Sequence, residues 1–301
     1  HIEMRIGRIY FSGLAPRFGE EAALLNCYLD KNHAWRRGAL GPVDGAYGQA
    51  KHLRVEIDGL ANLVGPRAVA KGGHHKAGRT RSWLFGVDFG SWKVEPYLEG
   101  EFGAVFAINF GSHKQDYSRK NNAMAAMLAR PRNTVAVGWG GRPAWRLHPM
   151  AMGRTIGEAH LATVNNGAAS AGGMESLEYA PTGGYQWINP VWVNLLGDPT
   201  LTAFPLAPPG DLSVAREGGG ATLTWSPPSG ASEVGYRVLR APDCGGPFAA
   251  LNPDALLEAT RFDDRTAPEE ACYMVRAHGL KTVYAGSFFA FSGGAAAALP
   301  R

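Results

Sequence analysis

The chain has 301 residues, of which 45% are hydrophobic and 19% are charged, and this balance excludes an intrinsically disordered protein. Its net charge of +4 comes from basic residues spread along the chain, without the dense cationic runs of a nucleic-acid-binding arm, so we expect no nucleic-acid partner. No apolar run approaches the roughly 20 residues that cross a bilayer, and we therefore predict no membrane span.

The length predicts two domains, because domains typically contain about 100 to 200 residues. The clearest boundary is the proline-rich stretch of residues 204–210, where Pro208 and Pro209 remove backbone donors and stiffen the chain into an extended linker. We therefore predict an α/β domain at residues 1–206 and an all-β domain at residues 207–301.

Before this boundary, strand patterns alternate with helix patterns. We predict strands at 6–11, 83–87, 104–110, 134–137 and 191–196, helices at 18–37, 46–63, 121–129 and 156–164, and a basic loop at 71–81. Residues 104–110 are nearly all apolar, which is typical of a strand covered on both faces of a parallel sheet. The alternation predicts a parallel sheet with helices on both of its faces.

After the boundary, the pattern changes to short strands in which apolar and polar residues alternate. We predict such strands at 212–214, 222–225, 236–240, 273–276 and 287–289, separated by turns rich in Gly, Pro and Asp. This pattern predicts an immunoglobulin-like β-sandwich whose core includes the alternating side chains of Trp225, Tyr236, Val238, Tyr273 and Val275.

Three motifs of this second domain carry a resemblance to a known family. They are Leu223-Thr224-Trp225, Gly235-Tyr236-Arg237-Val238-Leu239-Arg240 and Tyr273-Met274-Val275-Arg276-Ala277. The domain resembles a fibronectin type III domain. It departs from the family at Ala271, where such domains commonly carry a tyrosine that closes a corner of the sandwich, so the resemblance implies that one stabilising hydrogen bond is missing.

Five segments of the first domain carry a second resemblance, which spans about residues 4–206. They are Ile6-Gly7-Arg8-Ile9, residues 24–31, residues 105–112, Gly153-Arg154-Thr155-Ile156-Gly157-Glu158-Ala159 and, most specifically, Leu196-Gly197-Asp198-Pro199-Thr200-Leu201. The domain resembles the gingipain family of cysteine peptidases, whose fold is caspase-like. Ile6 corresponds to a strand already inside the family's domain, which leaves open that the sheet is incomplete at its N-terminus.

The residues that such a peptidase needs are missing from their expected places. The family's chemistry requires a His-Gly at the end of one parallel strand and a Cys at the end of the next. Strand order puts these positions near residues 85–90 and 110–113, where the sequence has Asp88 and Ser112 instead. We therefore expect the usual dyad to be absent. Asp88 and Ser112 are a poor replacement for it, because a serine hydroxyl depends on a positioned base more than a thiol does and a carboxylate is a weak base.

An unconventional dyad remains the alternative. Ser112 could use His113, His148 or the loop residues His74 and His75 as its base, with Asp88 nearby, and Cys27 is the one cysteine of this domain. We interpret Cys27 as a partly exposed structural thiol, because no strand end brings a base to a residue in the middle of a helix.

Other residues near this edge are candidates for binding. Trp139 and Trp145 follow a predicted strand and, with His113, either line a pocket or belong to the core. Adjacent histidines in the basic loop are too few ligands for a metal site, which needs three or four, so we expect no metal and no cofactor. The sequence predicts a binding or scaffold module with a protein or peptide partner, or alternatively an active cysteine- or serine-type endopeptidase.

Cysteine positions bear on the location of the protein. If the strands at 236–240 and 273–276 are antiparallel neighbours, as in a fibronectin type III sheet, Cys244 and Cys272 lie within disulfide reach. A disulfide there is typical of an oxidising compartment, so we expect an extracytoplasmic or secreted protein.

Overall fold

The structure is a computed structural model that describes residues 3–49, 53–74, 76–88, 103–111, 116, 119–140, 144–169 and 193–300. The chain divides into two compact units. The α/β unit comprises His1–Trp35, Leu40–Ala203 and Val283–Gly286, and the β unit comprises Arg36–Ala39, Phe204–Thr282 and Ser287–Arg301.

The α/β unit contains helices on a mostly parallel sheet. Its helices are α1 (Glu21–Arg36), α2 (Arg54–Val64), α3 (Ala123–Leu128), α4 (His148–Ala151) and α5 (Ile156–Ala169). Its strands are β1 (Ala46–Gly48), β2 (Val69–Lys71), β3 (Trp83–Asp88), β4 (Ala104–Asn109), β5 (Ala136–Trp139) and β6 (Leu195–Gly197).

The six strands lie in the order β2-β1-β3-β4-β5-β6. The first five are mutually parallel, and β6 pairs with β5 in the antiparallel direction. All residues of β3 and β4 are buried, as the apolar runs at 83–87 and 104–110 predict for central strands. The predicted parallel α/β sheet is therefore confirmed for β1 to β5, whereas the antiparallel β6 departs from the prediction.

Two predicted elements at the start of the chain are wrong. Residues 46–63 form strand β1 and then α2 instead of one helix, and Gly48 of β1 lies so close to Ile57 of α2 that a Cβ atom would meet it at 2.7 Å. Residues 6–11 form no strand. Only Arg8 bridges to Leu196, in the parallel direction, along the outer side of β6.

Helix α1 is fastened to the sheet by two buried polar side chains. The hydroxyl of Tyr28 donates to the carbonyl of Val135 at 3.1 Å. The Nζ of Lys31 donates to the carbonyls of Leu128, Arg130 and Thr134 at 2.5 to 2.9 Å. These acceptors lie at the end of α3 and before β5, so Lys31 satisfies carbonyls that the short helix leaves without intrahelical partners. Burial lowers the pKa of Lys31 from 10.5 to about 8.

The β unit consists of two antiparallel sheets. Its strands are β7 (Gly210–Glu217), β8 (Gly220–Ser226), β9 (Ser232–Ala241), β10 (Ala249–Ala250), β11 (Arg261–Asp264), β12 (Cys272–Val283) and β13 (Gly286–Ala298). One sheet has the order β10-β9-β12-β13 and the other has the order β11-β8-β7. The five predicted core residues of this unit are all buried between the sheets, which confirms the predicted sandwich.

A buried carboxylate joins the two sheets of the β unit. Asp264 on β11 accepts the hydroxyl of Tyr273 on β12 at 2.8 Å and a guanidinium N–H of Arg240 on β9 at 2.6 Å. It also accepts the backbone N–H and the hydroxyl of Thr266 at 2.9 and 2.8 Å. Burial by itself raises the pKa of Asp264, but these hydrogen bonds outweigh it and the net pKa is lowered. This sandwich therefore has a buried tyrosine hydrogen bond at Tyr273 although position 271 is alanine.

Cys244 and Cys272 form a disulfide, with their Cα atoms 5.1 Å apart and 28 positions apart in sequence. The pairing follows from the antiparallel register of β9 and β12, in which Cys272 lies opposite Ala241. The end of β9 therefore lies next to the start of β12, as predicted from the sequence.

Candidate functional site

The topology of the parallel sheet indicates where a ligand binds. Chain connections run from β1 to β2 on one side and from β3 to β4 on the other, so the strand order reverses between β1 and β3. In α/β sheets, ligands bind outside the carboxyl ends of the strands at such a reversal. The candidate site therefore lies where β1, β3 and β4 end, near Gln49, Asp88 and Asn109.

Asp88 and Asn109 are the residues that end β3 and β4. They are register partners on neighbouring parallel strands, so their side chains leave the same face of the sheet. Asp88 is 3% exposed and Asn109 is 0% exposed. The amide Nδ2 of Asn109 lies 3.1 Å from the sulfur of Met127 on α3. Asp88 was predicted at this edge and Asn109 was not, although a polar residue near the end of an apolar run is a signal for such a position.

The loop that follows β2 covers Asp88. The backbone N–H of His74 donates a short hydrogen bond to Oδ2 of Asp88, and Nδ1 of His74 lies 3.4 Å from the hydroxyl of Tyr47 on β1. Glycine is required at two positions of this contact. A Cβ at Gly73 would lie 2.8 Å from Gln49 and 3.0 Å from Asp88, and a Cβ at Gly86 would overlap the ring of Tyr47.

Trp139 and Trp145, two of the predicted binding residues, are buried at 4% and 1% exposure. The indole N–H of Trp139 donates to the carbonyl of Gly111 at 3.0 Å, and that of Trp145 donates to the carbonyl of Trp139 at 2.7 Å. Gly138 has no room for a Cβ because the ring of Trp145 fills the space. The two rings therefore belong to the buried core at this edge of the sheet.

Two polar residues near Trp145, the buried Glu56 and the half-buried His160, were not predicted from the sequence. Oε1 of Glu56 on α2 accepts the backbone N–H of Trp145 at 3.2 Å, and Glu56 is 1% exposed. Nε2 of His160 on α5 lies 2.8 Å from the carbonyl of Val193, and burial lowers the pKa of His160.

The remaining predicted catalytic residues are not brought together by the described part of the structure. Ser112, His113 and His75 lie outside the described residues. His148 is an exposed residue at the start of α4. Cys27 is half-buried on α1, and its Sγ lies 4.0 Å from the carbonyl of Pro131, which precedes β5.

The chemistry available at this edge is that of a hydrogen-bonded carboxylate beside an amide. Within the described ranges, no group of three or more His, Cys, Asp or Glu side chains could hold a metal ion. No helix in the same ranges is both long and apolar enough to span a membrane.

No protein-family model and no curated protein matches the chain. A solved structure of a Fn3-like protein from Clostridium thermocellum is 25% identical, with a TM-score of 0.23 over 32% of this chain and 95% of that one. The chicken interferon gamma receptor alpha chain is 16% identical, with a TM-score of 0.22 over 30% of this chain and 44% of that one. A beta-1,2-glucanase from Parabacteroides distasonis is 19% identical, with a TM-score of 0.20 over 36% of this chain and 15% of that one. These TM-scores assign no family, so the architecture of each unit rests on its own strand pairing.

Proposed function

We propose that this protein is an extracytoplasmic relative of the gingipain peptidases, with a caspase-like α/β unit and a fibronectin type III-like β unit, that binds a polypeptide without cleaving it. The mostly parallel sheet, in which the strand order reverses between β1 and β3, supports the resemblance to the gingipain family on which this proposal rests. The two antiparallel sheets with a shared core support the fibronectin type III part.

The observation that carries the proposal is the pair Asp88 and Asn109 at the ends of β3 and β4. In the resembling peptidases, neighbouring strand ends supply an imidazole that takes a proton and a thiol that attacks a carbonyl. A carboxamide has no proton to lose at ordinary pH and is not a nucleophile. A carboxylate that already accepts the N–H of His74 is held as a hydrogen-bond acceptor. This pair can bind and orient a polar group but cannot form an acyl-enzyme.

Cys27 does not replace the missing nucleophile. Its sulfur lies beside Pro131, before the start of β5, and therefore at the amino edge of the sheet. A strand of six residues such as β4 separates the two edges by roughly 20 Å. A thiol at that distance cannot reach a peptide bound at the carboxyl edge.

The carboxyl edge retains groups that suit a peptide. Gln49 is exposed, and its side-chain oxygen lies near Gly73. Phe110 is half-buried, and its ring packs 5.4 Å from that of Trp139. An amide side chain and a partly open aromatic ring can hold the backbone and one apolar side chain of an extended segment.

The disulfide supports the proposed location. Cys244 and Cys272 are joined in the β unit, and such bonds persist in oxidising compartments. The bond ties two strands of a small sandwich, which is a common use of disulfides in secreted domains.

Hydrolysis of a reduced and alkylated protein substrate separates this proposal from its alternative. We expect the purified chain to leave the substrate intact over a range of pH and reductant concentrations. Cleavage that disappears in Ser112→Ala would overturn the proposal and favour a serine peptidase. Cleavage that disappears in Cys27→Ala would also overturn it.

Binding is tested on an array of randomised extended peptides, with affinities of the strongest sequences measured by fluorescence anisotropy. Gly73→Ala pushes a methyl group against Gln49 and Asp88, and we expect it to weaken binding at least tenfold. Gly293→Ala is the matched control, because a Cβ there meets nothing within 4 Å, and it should bind like the wild type. Equal binding by both variants, or no binding to any peptide, contradicts a binding role for this edge.

A further inference from the structure

The outward side of the β10-β9-β12-β13 sheet in the β unit carries exposed aromatic rings. Side chains alternate between the two sides of a strand, so Ala290 of β13 packs on the core while Phe289 and Phe291 point away from it, at 54% and 62% exposure. His278 of β12 packs with both rings, and its ring centre lies 4.0 Å from that of Phe291 and 5.1 Å from that of Phe289. A cluster of exposed rings, unlike a single one, is typical of an interaction surface.

Two arginines lie on the same side of this sheet. Arg237 of β9 and Arg276 of β12 are register partners in the antiparallel pairing, so their side chains leave the same side of the sheet. The positive charge of Arg237 is also felt at the ring cluster, because it lowers the pKa of His278 in addition to the larger effect of burial. Like charges directly opposite each other on neighbouring strands destabilise a sheet, and a bound anion would relieve this repulsion.

The contacts of these two arginines fix their positions without cancelling their charge. Nε of Arg276 donates to the carbonyl of Ser292 at 3.0 Å, and the guanidinium of Arg237 donates to two carbonyls of the loop that follows β10. Within residues 193–300, no carboxylate forms an ion pair with either arginine. Two exposed acids, Glu233 near the start of β9 and Asp254 in that loop, are among the carboxylates that do not pair with them. The centre of this surface is therefore cationic and complementary to an acidic ligand.

We propose that this side of the β unit binds an acidic polypeptide segment, whose carboxylates pair with Arg237 and Arg276 and whose apolar side chains pack on Phe289 and Phe291. A polypeptide is favoured because alternate residues of an extended chain repeat at about 7 Å, which is also the spacing of the two phenylalanines along β13. A polysaccharide would stack on open ring faces, and His278 already covers one face of the Phe291 ring. The surface is independent of the carboxyl edge of the α/β sheet.

Biolayer interferometry of the immobilised full chain tests this proposal with four polymers of similar length. They are a random copolymer of glutamate and tyrosine, polyglutamate, a copolymer of lysine and tyrosine, and the polyuronate alginate. We expect the glutamate–tyrosine copolymer to bind at least tenfold more tightly than each of the others, with an affinity that falls as salt is added. Equal binding of polyglutamate, or no binding of the acidic copolymer, overturns the proposal. Tighter binding of alginate also overturns it, because it assigns the surface to a polysaccharide.

Substitutions assign the binding to this side of the sheet. Arg276→Glu and Phe291→Ser, both at exposed positions, should each weaken binding of the acidic copolymer at least tenfold. Ser287→Arg adds a cation at the exposed outward position before Phe289 and should tighten binding several-fold, a gain that loss of structure does not produce. Arg216→Gln is the matched control, because Arg216 lies on β7 of the other sheet and likewise donates to backbone carbonyls, and it should bind like the wild type.

Three results would refute this surface. One is unchanged binding of the copolymer by Arg276→Glu or by Ser287→Arg. Another is a loss of binding in Arg216→Gln as large as that in Arg276→Glu, which would reflect the net charge of the chain alone. The third is self-association of the wild type in sedimentation experiments that disappears in Phe291→Ser, which would assign the rings to contact with a second copy of the chain.

Discussion

Replacement of Lys31 by methionine tests how a buried charge contributes to the α/β unit. The Nζ donates to the carbonyls of Leu128, Arg130 and Thr134, and methionine would leave all three without this donor. Hydrogen bonds from a charged donor contribute about 1.5 to 3 kcal/mol each, and the cost of burying the ammonium offsets part of that gain. At pH 7 we expect Lys31→Met to lower the free energy of unfolding by about 2 to 4 kcal/mol.

The loss of stability caused by Lys31→Met should increase with pH. Burial lowers the pKa of Lys31 to about 8 in the folded protein, from 10.5 in the unfolded chain. Between these values the unfolded state binds more protons, so the stability of the wild type rises with pH. The full difference between the two pKa values corresponds to roughly 3 kcal/mol in the free energy of unfolding. About 2 to 3 kcal/mol of this gain is expected between pH 7 and pH 10. The variant lacks the titrating group and should not show this gain.

Urea unfolding followed by tryptophan fluorescence measures the difference in the free energy of unfolding between the wild type and Lys31→Met. All but one of the eight tryptophans precede residue 204, so the signal reports mainly on the α/β unit. Lys76→Met, which alters an exposed lysine of the same unit, serves as the control and should follow the wild type at every pH. A stability difference between wild type and Lys31→Met that is the same at pH 7 and pH 10 would show that Lys31 has no depressed pKa.

Three further predictions concern the β unit. Tyr273→Phe removes the hydroxyl that Asp264 accepts and should lower the free energy of unfolding by about 1.5 to 3 kcal/mol in urea denaturation. Replacement of both Cys244 and Cys272 by alanine opens a loop with a sequence separation of 28 and should cost about 3 to 4 kcal/mol, measured against the oxidised wild type. Because the pKa of Asp264 is lowered on folding, the stability that it contributes is present above its unfolded pKa and is lost as the pH falls through the folded pKa. Thermal unfolding at a series of acidic pH values should therefore show a steeper loss for the wild type than for Asp264→Asn, and parallel curves would exclude this carboxylate as a source of acid sensitivity.

The sequence predicts the long elements of this fold better than the short ones. The predicted strands at 83–87 and 104–110 correspond to β3 and β4 within one residue at each end, because an uninterrupted apolar run has few alternatives to a central strand. Strands β1 and β2 have three residues each, too few to show a period of their own. Residues 46–48 therefore merge with the helical pattern that follows, and only sheet pairing defines them as a strand.

The candidate site was partly predictable for a similar reason. Asp88 follows an apolar strand, and parallel topology alone brings it to the carboxyl edge. The burial of His74 and Glu56 depends on a loop and a helix that pack from other parts of the chain, and no local pattern contains that information. The hydrogen bond from Tyr273 to Asp264 was missed because it joins strands of different sheets, while the position of Cys244 and Cys272 could be inferred from two neighbouring strands of one sheet.

The attachment of α1 has a consequence for the order in which the chain folds. The hydroxyl of Tyr28 reaches Val135, which lies 107 positions later, and Lys31 reaches Thr134, which lies 103 positions later. A ribosome adds about 5 to 20 residues per second, so about 5 to 20 s separate the synthesis of α1 from that of its partners. During that interval the apolar face of α1 has no sheet to cover it. Contacts this distant in sequence also slow spontaneous refolding, because the intervening loop must close before they form. The α/β unit is therefore expected to depend on protection from aggregation early in its synthesis.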